Sequence, residues 1–265
     1  MQNMISKIKA EIIRRLWALK QNKINRFINK TKRVTHNNMD FKFYVPNPLS
    51  LYRTKTFSTK EPDTLDWIDS LDKSSIMWDI GANIGLYSIY AAKCRNIKVF
   101  AFEPSVFNLE FLAKNIHINK LQHNVIIFPV ALSDKSDINL FKMNSPLWGG
   151  ALSAFGVDYD QHGENYNSAF EYSIPGLRAD NVAETFNIPK PDYIKIDVDG
   201  IEHLILNGAE KILKEVKSIL IEIDDNFLEQ SEKSKKYLSN AGLVLKEKHS
   251  LSPDGSQFNQ LWARQ

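Results

Sequence analysis

Apolar residues follow two rhythms along this 265-residue chain. Near the N-terminus Ile5, Ile8, Ile12, Leu16 and Leu19 recur every three or four positions, with Trp17, Ile24 and Phe27 beside them. That spacing returns side chains to one face of a helix and predicts an amphipathic helical arm over residues 1–36. Residues 37–62 carry the breakers Pro46, Pro48 and Pro62 and are expected to be irregular. A short helix at 65–71 completes a lead-in over 37–74. From residue 75 the rhythm changes. Short apolar runs at 75–80, 98–102, 124–128, 192–197 and 218–223 alternate with helical patterns at 86–94, 106–119, 201–214 and 228–240. Nearly continuous apolar strands separated by helices predict a mostly parallel sheet with helices on both faces. The chain ends differently: strand-like runs at 243–248 and 258–264 flank the turn sequence Ser252-Pro-Asp-Gly-Ser256, which predicts an antiparallel hairpin. The fold class is thus α/β, Rossmann-like, with the main domain at 75–265. Residues 142–176 interrupt it with Trp148-Gly-Gly150, Phe155, Tyr159, His162 and Tyr166. A segment so long and aromatic is expected to be a substrate wall or lid.

Composition narrows the class. An apolar fraction of 43% with 25% charged residues excludes a disordered chain. A chain of this length buries enough surface to fold without disulfides or metals. The single Cys94 cannot form an internal disulfide and agrees with a reducing, cytoplasmic setting. No run is long and apolar enough to predict a membrane span, and the N-terminus lacks the pattern of a secretion signal. Charge is unevenly placed. Residues 1–35 hold ten Lys or Arg against Glu11 alone, a net +9, whereas the remainder is −6 and the whole is +3. The plainest use of the arm is packing on its own domain with a solvated basic face. Peripheral contact with an anionic membrane at its inner face, or dimerisation through the helix, is the alternative. No zinc-finger or RNP-type motif appears, so no specific nucleic-acid partner is expected.

The candidate chemistry begins at Trp78-Asp-Ile-Gly-Ala-Asn-Ile-Gly85, between a strand and a helix. Gly81 and Gly85 permit a tight turn and close approach of a ligand to the backbone. Glu103 ends the next strand, where an acid accepts hydrogen bonds from both ribose hydroxyls. A dinucleotide site wants G-x-G-x-x-G, but Asn83 and Leu86 stand at its second and third glycines. Leu86 would crowd a pyrophosphate and Asp79 would repel it, whereas Asp79 suits an ammonium group. The pattern points to a nucleoside bearing an amino acid, S-adenosyl-L-methionine.

With Ala101-Phe-Glu-Pro104, Val130-Ala-Leu-Ser-Asp134, Ile194-Lys-Ile-Asp-Val-Asp-Gly-Ile-Glu202 and Leu206-Asn-Gly-Ala209, this region resembles the FkbM family of methyltransferases over about 75–225. The resemblance implies a class I methyltransferase fold, a seven-stranded sheet whose last strand is antiparallel. It also implies methyl transfer to a hydroxyl, often on a sugar or secondary metabolite. It places Asp79, Gly81, Asn83 and Gly85 on the methionine part of the cofactor and Glu103 on the ribose. Pro104 and Ser105 fall beside the adenine, and Ala131 on its other face. Asp199 stands where members commonly carry Glu.

Asp197, Asp199 and Glu202 form an acidic cluster at the carboxyl end of a strand, where open α/β sheets bind ligands. With Lys195 they are the candidate catalytic residues, although a helix N-terminus enriched in acids would also account for Asp199 and Glu202. Asp197 ends a run facing a buried sheet; burial raises a carboxylate's pKa, which makes Asp197 the expected base as well as a cofactor contact. Lys195 reaches either the same pocket or solvent, and His203 is expected at the surface. Asp197 with Asp225 and Asn226 would offer oxygen ligands to Mg²⁺, but a polar strand end explains them equally; a divalent metal is left open, with no ligand assigned. The expected activity is S-adenosylmethionine-dependent O-methylation of a sugar, glycan or secondary-metabolite hydroxyl. An amine or RNA acceptor, or a cofactor-binding scaffold without catalysis, is the alternative. Asp197-Val-Asp-Gly200 stands where an amino-group methyltransferase would carry Asn/Asp-Pro-Pro-Tyr/Phe.

Overall fold

A computed structural model describes the backbone of residues 2–265 and side chains from residue 9 onward. Helix α1 (Gln2–Ile28) leads into a hairpin of β1 (Thr31–His36) and β2 (Met39–Tyr44), then α2 (Pro48–Lys55) and α3 (Pro62–Ser70). The main domain runs β3 (Ile76–Ile80), α4 (Leu86–Arg95), β4 (Lys98–Phe102), α5 (Val106–Ile118) and β5 (Val125–Phe128). Next come β6 (Ala131–Leu132), β7 (Asp137–Met143), β8 (Ser153–Phe155), β9 (Phe170–Leu177) and α6 (Ala179–Thr185). It closes with β10 (Tyr193–Ile196), α7 (Glu202–Asn207), α8 (Glu210–Leu213), β11 (Ser218–Asp224), α9 (Leu228–Asn240), β12 (Val244–Ser250) and β13 (Gln257–Ala263).

The seven-stranded sheet has the order β12-β13-β11-β10-β3-β4-β5. The five strands from β11 to β5 are mutually parallel, and β13 inserts antiparallel between β11 and β12, as the expected terminal hairpin requires. Strand alternation divides the core. Trp78, Ile80, Phe102, Ile194 and Ile196 pack on one side of the sheet, and Met77, Ala101, Val99 and Leu220 on the other.

Four departures from the sequence expectation have local causes. Residues 37–62 are not irregular: Asn37 and Asn38 adopt φ of 46° and 61° and close a two-residue hairpin between β1 and β2. Phe41 and Phe43 of that hairpin are fully buried against Phe57. Pro48 starts a helix instead of breaking one, because Asn47 and Ser50 form a capping box ahead of it. The run at 201–214 divides into α7 and α8 at Gly208, where a Cβ would lie 2.1 Å from the Ser133 carbonyl oxygen. Residues 142–176 belong to a second sheet, β6-β9-β7-β8, that starts upstream at β6.

The fourth departure is the arm. Ile5 and Ile8 lie outside the described side chains, but Ile12, Ile13, Leu16, Trp17, Leu19, Ile24 and Phe27 are each at least half exposed. Packing of this stripe on the chain's own domain is therefore not what the structure has. Among the described residues no helix is long and apolar enough to cross a membrane.

Candidate active site

The carboxyl ends of β3, β4, β10 and β11 open onto a cavity of about 330 Å³. That size lies at the lower end of the range for small-molecule sites. Its floor is the turn after β3. The N–H groups of Gly81 and Ala82 both donate to the Phe102 carbonyl at 3.0 Å, tying the turn to β4. Asn83 continues it with φ 51°, its side chain donating to the Gly150 carbonyl at 2.7 Å. Gly85 caps α4 with φ 85°; it does not line the cavity, and its missing Cβ makes room for Leu112.

Glu103 faces the same space from the end of β4. Its two carboxylate oxygens accept the Asn83 and Ser105 N–H groups at 2.7 and 2.8 Å. Burial nonetheless pushes its pKa up to about 7. Pro104, Ala131 and Leu132 line the adjoining wall with Phe102 and Phe141. Ser105 does not reach the cavity: it is buried, and its hydroxyl caps α5 by accepting the Asn108 N–H. An acid at a strand end beside a flat, apolar recess suits a ribose joined to an aromatic base.

Asp79 departs from its expected part. Alternation along β3 turns it to the face opposite Ile80, where it is 2% exposed and accepts a hydrogen bond from the Ser88 hydroxyl. Lys195 stands beside it in register on β10. This lysine reaches neither cavity nor solvent. Its ammonium lies 2.7 Å from the Asp197 carboxylate and 5.0 Å from the Tyr87 ring centroid. Burial works against the Lys195 charge, but the Asp197, Glu61 and Asp79 charges outweigh it and raise its pKa.

Asp197 lines the cavity, yet its basicity is the reverse of what burial alone predicted. Burial pushes its pKa up, but the Lys195 ammonium more than compensates and holds the carboxyl below its usual range. It is a fixed negative charge and a weak base. Asp199 also faces the cavity, in a left-handed conformation with φ 63°. Its carboxylate accepts the Leu152 and Ser153 N–H groups at 2.7 and 3.2 Å. Burial, then the Asp197 charge, push its pKa up to about 6.

Glu202 is not on a solvated helix end. It is 1% exposed, accepts the Gly200 N–H at 3.1 Å and a bond from Gln230, and burial lifts its pKa to about 7. It does not line the cavity; it shapes the loop that presents Asp197 and Asp199. His203 is likewise internal, not at the surface. Neither ring nitrogen has a partner, and burial lowers its pKa to about 4.

Sequence reasoning missed Glu222, which lines the cavity from β11 beside Asp197. Burial, then the charges of Asp197, Asp199, Glu202 and Glu61, raise its pKa well above the carboxylate range. The signal was available, since Glu222 is an acid near the carboxyl end of the apolar strand β11, at the same edge of the sheet as Asp197. Arg53, Lys60 and Glu61, also on the wall, lie in the segment expected to be irregular and carried no such signal.

The inserted sheet supplies Gly150, Leu152, Ser153 and Phe155 to the wall. Its turn is clamped by Asn108, which accepts the Gly149 N–H at 2.9 Å, and by Arg53, which donates to the Gly149 carbonyl at 2.8 Å. The other aromatics do not face the cavity. Trp148 packs on Phe111, Tyr159 on Phe227, and His162 bonds Asp224 at 2.6 Å. Among the described residues no group of three or more His, Cys, Asp or Glu is arranged to hold a metal. Asp225 pairs with Lys248 and does not line the cavity that Asp197 faces.

One family model matches the chain, and its relatives are methyltransferases. Residues 79–250 match the model of the methyltransferase FkbM domain. The hexuronic acid methyltransferase AglP of Haloferax volcanii is 27% identical over 156 residues, and the match spans 59% of each chain. The methyltransferase sdnD of Sordaria araneosa is 24% identical over 179 residues, 58% of this chain and 68% of that one. A solved structure described as a transferase of Pyrococcus horikoshii shares the fold at a TM-score of 0.50 and 14% identity, covering 89% of this chain and 73% of its own.

Proposed function

The chain belongs to the FkbM methyltransferase family, and from that premise we propose that it is an S-adenosylmethionine-dependent O-methyltransferase acting on a sugar hydroxyl. The observation that carries this reading is the shared cavity. Its lining brings Glu103, the Gly81 turn, Asp197, Asp199 and Glu222 to one space, with the Asp197 backbone directly against Gly81. The residues present fit the cofactor: an acid for ribose hydroxyls, the small Ala131 beside a flat ring, and an ionised Asp197 for positive charge. When bound, the cofactor supplies a methyl group already activated on a sulfonium sulfur. Asp79, Gly85 and Ser105 then act from behind, by holding the turn and α5. Lys195 keeps Asp197 ionised, and Glu202 fixes the loop that bears Asp199.

The protein's remaining work is to orient the acceptor and remove its proton. Orientation alone contributes several kcal/mol to such a transfer. Lys195 holds Asp197 below the usual carboxylate range and makes it a weak base, whereas burial raises Glu222 and makes its ionised form a stronger one. The hexuronic acid named for AglP supports a sugar acceptor here. Incubation with methyl-labelled cofactor and a panel of hexoses and hexuronic acids should give a mass gain of one methyl on a hydroxyl. Labelling of amines or RNA alone would assign another acceptor class.

The Glu103 carboxyl makes this site pH-dependent. Its ionised form is the one that accepts both ribose hydroxyls, so cofactor affinity is full above pH 7 and lost as pH falls through that value. Between pH 8 and pH 6 the dissociation constant for S-adenosylhomocysteine should rise about tenfold, following the ionised fraction. Glu103→Gln should flatten the profile; an unchanged slope in that variant would assign the titration elsewhere.

A further inference from the structure

The exposed helix α1 is unexplained by any role in the cavity. Ile12, Leu16, Leu19 and Phe27 follow helical spacing, and Ile13, Trp17 and Ile24 form an adjacent row on the same side. All are at least half exposed, a concentration of apolar surface that a water-facing helix does not need. Arg14, Arg15 and Arg26 flank this side, and Lys9, Lys20 and Lys23 stand on it among the apolar residues. The opposing charge on the described part of the helix is Glu11, already engaged by Arg14 and Arg15.

We propose that α1 is a docking surface for an anionic lipid bilayer. Two demands select this occupant. The apolar rows require a medium that takes Ile, Leu, Trp and Phe out of water, and the cations beside and among them require fixed negative charge at the same boundary. A bilayer interface bearing anionic headgroups meets both, with Lys and Arg stems extending to the headgroups while the apolar rows sink below them. A nucleic acid offers charge without the apolar medium. A second α1 offers apolar surface with the same sign of charge. The helix is joined to the cavity wall: His36, at the end of the hairpin that follows it, packs on Phe57 and bonds Ser58 at 2.9 Å. Phe57 itself lines the cavity, so docking would bring this wall towards the membrane.

The test uses the full chain and sucrose-loaded vesicles of phosphatidylcholine, with or without phosphatidylglycerol. The expected result is pelleting with the mixed vesicles, about fivefold stronger for each basic residue engaged, weakened at physiological salt and accompanied by a blue shift of Trp17 emission. Leu16→Asp with Leu19→Asp should abolish pelleting and leave S-adenosylhomocysteine affinity unchanged. Both positions are exposed, so these substitutions spare the core. Equal binding to neutral vesicles, or none to either, would overturn the proposal. So would a concentration-dependent dimer lost in the same variant, or RNA binding that survives it.

Discussion

Gly81→Ala is expected to leave a protein that neither folds stably nor takes up cofactor. Gly81 has φ +88°, a conformation that costs an L-residue about 1–2 kcal/mol. The larger difficulty is steric. A Cβ there would lie 1.8 Å from the Asp197 carbonyl oxygen and 2.8 Å from its carbon. These are backbone atoms that cannot rotate away. The Asp197 N–H also donates to the Ile80 carbonyl at 3.0 Å, so moving the carbonyl opens the ladder between β3 and β10. Overpacking adds about 1–3 kcal/mol, and the sum of about 2–5 is a large share of an ordinary domain's stability. Gly255→Ala is the control: φ is +70°, but nothing lies within 4 Å, so only the backbone penalty applies. Denaturant unfolding of the two variants separates strain from collision. Equal losses would contradict the close approach of the two strand ends.

Glu222→Gln is expected to lower turnover by about 10²–10⁴-fold, the range for loss of a general base. The amide keeps the shape and the place on β11 but cannot take a proton. Cofactor affinity should fall far less than turnover, since the ribose acid is Glu103 and the fixed negative charge is Asp197. Stability should not fall either. A buried acid with a raised pKa destabilises the fold when it ionises, because the unfolded chain releases that proton more readily; the cost appears as pH rises above about 4.5 and is absent in the amide. Single-turnover rates and a calorimetric titration on the same preparation divide the two effects. Retention of wild-type turnover would return the base role to Asp199 or Asp197.

The parallel sheet and its terminal hairpin were legible because alternation and periodicity are written in the apolar residues themselves. The Gly81 turn, Glu103 and Asp197 were legible for a related reason: glycine positions and acids at strand ends follow from where the chain must turn. The β1–β2 hairpin was hidden because Asn37-Asn38 supplies positive φ without glycine, and Pro48 reads as a breaker although it opens a helix. The direction of Asp79 was not readable. Period two says it opposes Ile80, but only the packing of α4 shows which face is closed. The acidity of Asp197 was misread for a similar reason. Burial alone argues for a strong base, and it takes the placement of the Lys195 ammonium, two residues away on the same strand, to reverse the sign. Exposure of α1 could not be read either, since an amphipathic pattern looks the same whether the helix packs inside or faces outward.

The central claim is that the Glu103 cavity holds S-adenosylmethionine by its ribose. Calorimetric titration of S-adenosylhomocysteine into wild-type protein and Glu103→Gln at pH 8 tests it most directly. Replacing the charged acceptor by an amide should cost about 1.5–3 kcal/mol, the range for hydrogen bonds to charged groups. The account predicts one site per chain in the wild type and a dissociation constant about 10- to 100-fold higher in the variant. A wild type that takes up no S-adenosylhomocysteine, or a Glu103→Gln variant that binds it as tightly as wild type, would contradict the account.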